Sequence, residues 1–287
     1  MNHPKSLCWR FLVPAILFSA GAHAQWLNYP EPGVPRLKNG KVNLTAPAPR
    51  MGGKPDLSGV WLHERTSPEE LRRIFGGPLA DELEASPIGM EIGTAHKYAM
   101  NILLDFKPAD SPITPAAEAV MKKRAAERQV TNVCHGEYGW PVLGLLTEPL
   151  KIVQAPKLTL VLYEIDSMRR QIFTDGRNFP ATFEFPAYLG YSIGRWEGDT
   201  FVVESRGFND RTPLDAMGHP RSEAMHVTER YQRRDFGHLD IEMTFDDPQL
   251  YSRKFAVKIP YELVQDNDIF EMFCNENEKD RIHLVVK

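Results

Sequence analysis

HVTERYQRRDFGHLDIE, residues 226–242, alternates polar and apolar residues on either side of Asp235-Phe236-Gly237. Period-two alternation marks a strand with one buried face, and a three-residue loop ending in glycine joins two such strands into a hairpin. Glycine is expected there because the last loop position is left-handed. Setting Arg234 against His238 places Arg230 opposite Glu242, Tyr231 opposite Ile241 and Glu229 opposite Met243. One face then carries Thr228, Arg230 and Gln232 against Asp240, Glu242 and Thr244, a solvated surface of cross-strand pairs. The other carries Val227, Glu229 and Tyr231 against Ile241, Met243 and Phe245, apolar apart from one carboxylate.

The same pattern recurs on both sides of this hairpin. From about residue 142 the runs LKIVQ, LTLVLYEI, RRQIFT, GYSIGRW, TFVVESRGF, MHVTERYQ, HLDIEMTF, KFAVKI and IFEMF follow one another with short turn-forming gaps, and LSGVWL precedes them at 57–62. Many short strands without intervening long helices predict a mainly β chain, an antiparallel barrel or sandwich, and exclude doubly wound α/β folds. Between LSGVWL and the later strands, residues 67–128 read as an inserted helical segment. Ser67-Pro68-Glu69-Glu70 has the form of a capping box with proline in the first turn, and Thr114-Pro115 opens a second helix, AAEAVMKKRAAER. Residues 25–56, rich in proline and glycine without apolar period, read as an extended or poorly ordered lead-in to one domain over 57–287.

Glu229 is the sharpest chemical signal. Burial raises a carboxylate's pKa and prepares it for acid–base work, unless an arginine claims it as one half of a structural pair. GYSIGRWEGDTFVVES, turning at Glu197-Gly198, places Tyr191, Ile193 and Arg195 on one face with Thr200, Val202 and Glu204. If both mixed faces point into one lumen, Glu204, Arg195, Tyr191, Tyr231 and Glu229 form a polar cluster in an apolar pocket, the usual form of a small-molecule site. If they point outward, they are ordinary surface pairs. The loop GFNDRTPLDAMGHP can bring Asn209, Asp210, Asp215 and His219 to the rim. The catalytic candidates are therefore Glu229 with His226 or His219, and Glu204, with Tyr191, Arg195, Tyr231, Asn209 and Asp215 contacting the ligand. No metal is expected: His226 and His238 stand roughly 26 Å apart along the ladder at ~3.3 Å per residue. Gly190-Tyr191-Ser192-Ile193-Gly194 matches G-x-S-x-G, but a nucleophile elbow needs a strand before it and a helix after it, and here a hairpin follows. No cofactor motif is read in the chain.

MNHPKSLCWRFLVPAILFSAGAHAQ has a basic start, a short apolar core from Phe11 to Ala20 and Ala22-His23-Ala24 before Gln25, the form of a secretory signal peptide over 1–24. Cleavage there removes Lys5 and Arg10 from 34 basic residues and none of 38 acidic ones, leaving a net charge of −6. That balance argues against nucleic acid as a partner, and no later segment is long and apolar enough to span a bilayer. Cleavage also removes Cys8, so Cys134 and Cys274 remain as an even pair in an oxidising compartment, periplasmic or secreted, where a disulfide is the default. The long loop it closes corresponds to about 4 to 5 kcal/mol in the chain-entropy account.

GKPDLSGVW, RQIFTDGR, GRWEGDTFVVE, GFNDRT, HVTERY and CNENEKD together resemble a family of exported bacterial proteins of uncertain function. Gly59-Val60-Trp61 is similar to the G-x-W start of lipocalin-type barrels, and that likeness implies a ligand-holding barrel, although the helical segment after it departs from the lipocalin pattern. Three functions compete. An enzyme would act on an apolar or aromatic small molecule by proton transfer, in isomerase, lyase or hydrolase chemistry. A binding module would hold the same molecule unchanged. An envelope interaction protein would leave an apolar stripe of the 115–128 helix exposed. Several ionisable groups facing an apolar pocket favour the first.

Overall fold

A computed structural model describes residues 30–77, 96–127, 140–145 and 148–271. Cys134, Cys274 and the expected signal peptide lie outside the described residues. Nine strands close into a barrel: β3 (Gly59–His63), β4 (Leu150–Ala155), β5 (Leu158–Tyr163), β6 (Arg169–Phe173), β7 (Tyr191–Glu197), β8 (Thr200–Arg206), β9 (His226–Arg233), β10 (His238–Asp246) and β11 (Phe255–Val264). β11 pairs back with β3, and a small separate hairpin, β1 (Arg50–Met51) with β2 (Lys54–Pro55), precedes them.

A ring with an odd number of strands cannot alternate direction all the way round, so one neighbouring pair must be parallel. That pair is β6 and β7, joined through Ile172↔Ser192 and Phe173↔Ile193. Parallel neighbours need a long crossover, and residues 174–190 supply it over the outside of the barrel. The strands follow one another round the ring in chain order, and only between β6 and β7 does the direction fail to reverse. The expected last strand, IFEMF, does not form over 269–271.

The β9–β10 register is the expected one, with Arg230↔Glu242, Tyr231↔Ile241 and Glu229↔Met243. The role of Gly237 is different. Its φ is not left-handed; a Cβ there would lie 2.6 Å from the Leu44 side chain, because residues 44–46 lie against the hairpin tip. Gly237 N–H donates to Leu44 O and Phe236 N–H to Ala46 O, both at 2.7 Å. The lead-in is thus ordered against the barrel from residue 30, not loose, and Arg50 on Asp199 ties it to the β7–β8 turn. That turn is Gly198-Asp199, one residue later than expected, with Gly198 at φ +60 and Glu197↔Thr200 closing it.

Helices α1 (Pro68–Phe75), α2 (Lys97–Met100) and α3 (Pro115–Glu127) lie between β3 and β4. Ser67 caps α1 as expected, its Oγ accepting from Glu70 N–H, but Glu70 does not close the box. Arg73 and Lys97 hold its carboxylate well below the usual range, at about 2. Thr114 caps α3 by accepting from Ala117 N–H. The less exposed stripe of α3, Ala117, Val120, Met121 and Arg124, has helical spacing. Val120 and Met121 on that stripe are half-buried. No helix among the described residues is long and apolar enough to cross a membrane.

Candidate functional site

Inward-facing residues nearly fill the barrel. A barrel of about eight strands has an interior just wide enough for its side chains, and this one retains a void of about 10 Å³, lined by Trp140, Leu150, Ile152, Tyr163, Glu229, Tyr231 and others. That is room for about one water.

Glu229 faces this interior and is 0 % exposed; its partner is Arg170 of β6, 2 % exposed. Arg170 Nη1 donates to Glu229 Oε1 at 3.0 Å and Nη2 to Oε2, a bidentate pair. Two further donors go to Ser192 Oγ (3.1 Å, from Nε) and Ser205 Oγ (2.7 Å, from Nη2), while Tyr231 O–H donates to Glu229 Oε1 at 2.8 Å. Burial disfavours the Arg170 cation, but Glu229 outweighs burial and holds its pKa above the ordinary value. Burial, then Glu229, pushes Tyr231 well up, and burial pushes Tyr163 up to about 12. Ser192, the serine of the G-x-S-x-G match, is a buried hydrogen-bonding strut here. Sequence reasoning found the carboxylate and missed its arginine, although period two puts Arg170 on the same face as buried Ile172.

Glu204, Arg195 and Tyr191 point the other way. Arg195 Nη1 donates to Glu204 Oε1 at 2.5 Å on the outer surface, and burial of Glu204 is outweighed by Arg195, which lowers its pKa. His226 Nε2 stands 3.4 Å from Glu204 Oε2 without hydrogen-bond geometry and is buried without a partner. Burial, then Arg206, lowers the His226 pKa. His226 and Glu229 share β9 but face opposite sides, so they do not act together. Tyr191 stacks on Phe173 at 5.1 Å and accepts from Arg177. These residues are the surface pairs of the outward alternative. Because Arg195 is more than half exposed, Glu204→Gln is expected to cost under about 1 kcal/mol in urea unfolding, as screened pairs do.

The loop after β8 gathers the remaining candidates at one end of the barrel. Asp215 is fully buried and accepts from three donors: Ile102 N–H (2.6 Å), His219 N–H (3.1 Å) and the His219 ring at Nδ1 (2.5 Å). An ionised carboxylate only accepts, so Nδ1 carries the proton and Nε2 is the basic nitrogen. The His219 side chain retains 10 % of its exposure. Asn209 Oδ1 accepts from Arg211 N–H and from Arg221.

Arg221 itself was not anticipated. It is 1 % exposed and bonds carbonyls: Nε to Asn209 O, Nη1 to Trp140 O and Nη2 to Tyr188 O, each at 2.8 Å. Burial, then the nearby Arg124, brings its pKa down to about 9. Trp140 links the two regions. Arg170 lies over its ring at 4.7 Å, Phe208 stacks on it at 5.8 Å, and Arg221 lies over Phe208 at 5.0 Å. One column therefore runs from the interior ion pair to the loop.

No family model matches the chain, and no curated protein or solved structure matches it at a significant level.

Proposed function

We propose that this is an exported barrel protein that binds a small, largely apolar or aromatic molecule at the loop-covered end of its barrel and moves a proton on it, with His219 as the base. The observation that carries the reading is the Asp215–His219 contact at 2.5 Å, with Asp215 itself locked by two backbone N–H groups. A carboxylate that fixes tautomer and ring orientation is how proteins prepare an imidazole for proton transfer. The interior carboxylate is unsuited to the same task, being sealed and fully engaged by Arg170 and Tyr231. The ligand is placed at this end of the barrel because the Asp215–His219 pair lies there; the interior void holds about one water, and the larger cavity of about 430 Å³ beside Leu62 and Glu262 does not include the pair.

The test is deuterium exchange. Small carbonyl compounds with acidic C–H bonds, aromatic and aliphatic, are incubated with the protein in D₂O and followed by NMR. Exchange is expected for a subset of the panel and should fall about 100-fold or more in His219→Asn, the scale of a lost general base. Asp215→Asn should lower it as well. Exchange unchanged in His219→Asn would sink the assignment. Ligand binding without exchange in any panel member would leave a non-catalytic binding protein.

Export carries its own test. Cys134 and Cys274 are proposed to form a disulfide, so intact mass should rise by two hydrogens on reduction. Two freely alkylated thiols in unreduced protein would end that claim.

A further inference from the structure

We infer that the ligand at this end of the barrel is an anion, a carboxylate on an apolar or aromatic body, and that Arg124 and Arg221 receive it. The inference rests on the reading that this end of the barrel is the ligand seat, and it names the ligand's charge.

Two guanidinium groups meet on consecutive carbonyls of one loop. Arg221 Nε donates to Asn209 O, and Arg124 Nη2, from α3, donates to Asp210 O. Among the described residues, no carboxylate hydrogen-bonds either of them; Asp210 is exposed and acts on both at longer range. A buried cation bonded to neutral oxygens keeps its desolvation cost, and a like charge beside it adds to that cost. Arg233 at the hairpin tip is also held by carbonyls, but Asp56 and Asp235 stand beside it. At Arg221 the stronger nearby charge is a second cation, Arg124, ahead of the exposed Asp210.

Unfilled donors mark the place. Arg124 Nη1 is buried without a partner, and so is the hydroxyl of Thr212, two residues beyond the carbonyl that Arg124 grips. Buried polar groups without partners are uncommon in folded proteins, and a bound ligand is one of the things that satisfies them. Neighbouring aromatic groups are in place: Phe208 under Arg221, and Tyr251, whose O–H donates to Pro220 O between His219 and Arg221. Guanidinium groups match carboxylate and phosphate geometry alike. The aromatic surroundings favour the monoanion, since burying two charges costs more than burying one.

Titration calorimetry with benzoate and cyclohexanecarboxylate tests the inference, with benzyl alcohol as the uncharged control and inorganic phosphate as the competing anion. Benzoate is expected to bind, about tenfold or more weakly in Arg124→Gln, with Arg124→Lys between the two, as a charge-assisted bidentate contact predicts. Arg124 is on a partly exposed helix face, so that variant should fold; Arg221→Gln is a second probe, and Arg124→Gln decides if it fails to fold. Benzyl alcohol should not compete. Equal benzoate affinity in the parent and Arg124→Gln would overturn the inference, as would phosphate binding tighter than benzoate. His219→Asn should retain benzoate binding. Loss of exchange with binding intact therefore concerns the base, and loss of binding in Arg124→Gln concerns the anion site.

Discussion

Glu229→Gln is expected to destabilise the folded chain by about 3 to 5 kcal/mol, although the side chain hardly changes shape. Glutamine removes the charge that Arg170 faces through two hydrogen bonds, and the guanidinium, 2 % exposed, has no route to water. Ser192 and Ser205 still bond it, but neutral hydroxyls do not offset a stranded cation. For a domain of this size the change should lower Tm by about 2 to 4 °C per kcal/mol. The companion variant Arg170→Met/Glu229→Gln removes the stranded charge and should recover at least half of the loss, since buried ion pairs can often be replaced as a unit at little cost. Urea unfolding of both variants checks this. A Glu229→Gln protein as stable as the parent would show that Glu229 is not the structural partner of Arg170.

This pairing also shows how far the chain could be read before its structure. Strand alternation is local, so it exposed the β9–β10 register, the inward turn of Glu229 and the correct faces of β7 and β8. It could not tell which face of the second hairpin lines the barrel, because that depends on how the ring closes. There, Phe201, Val203 and Ser205 turn in, and Arg195 and Glu204 turn out. Arg170 escaped notice because two adjacent arginines at the start of a short strand look like surface residues until the distant partner of one is known. The parallel β6–β7 pair follows from the count of strands, which the expected strand at IFEMF, not formed over 269–271, obscured. Gly237 was correctly placed for the wrong reason: its want of a Cβ serves Leu44, which is far away in sequence. Asp215 and His219 were legible as residues of one loop, whereas Arg124, Trp140 and Arg221 come together only through the fold.

Acid should weaken the fold well above the range where its paired carboxylates titrate. His96 caps α2, accepting from Tyr98 N–H through Nδ1, and is 5 % exposed. Burial, followed by the nearby His63 and Lys97, pulls its pKa down to about 3, with Asp105 opposing. An unfolded histidine titrates near about 6.5. Between these values the unfolded chain binds the proton that the folded chain refuses, so stability is complete above about pH 6.5 and declines as the pH falls toward 3. The full decline from this one group is about 5 kcal/mol, of which about 2 kcal/mol is lost by pH 5. The lowered His226 pulls in the same direction. Glu70, held at about 2, contributes only below its own unfolded range near about 4.3. Glu164, raised by burial, works in the opposite sense as the pH falls, so the histidine part is read from the difference between the parent and a His96 variant. His96→Asn separates the two roles of the residue, because asparagine is a good helix cap and carries no titrating group. Urea unfolding at both pH values should show the parent losing about 2 kcal/mol more than the variant. An equal slope in the two proteins would mean that His96 is not held neutral by the fold.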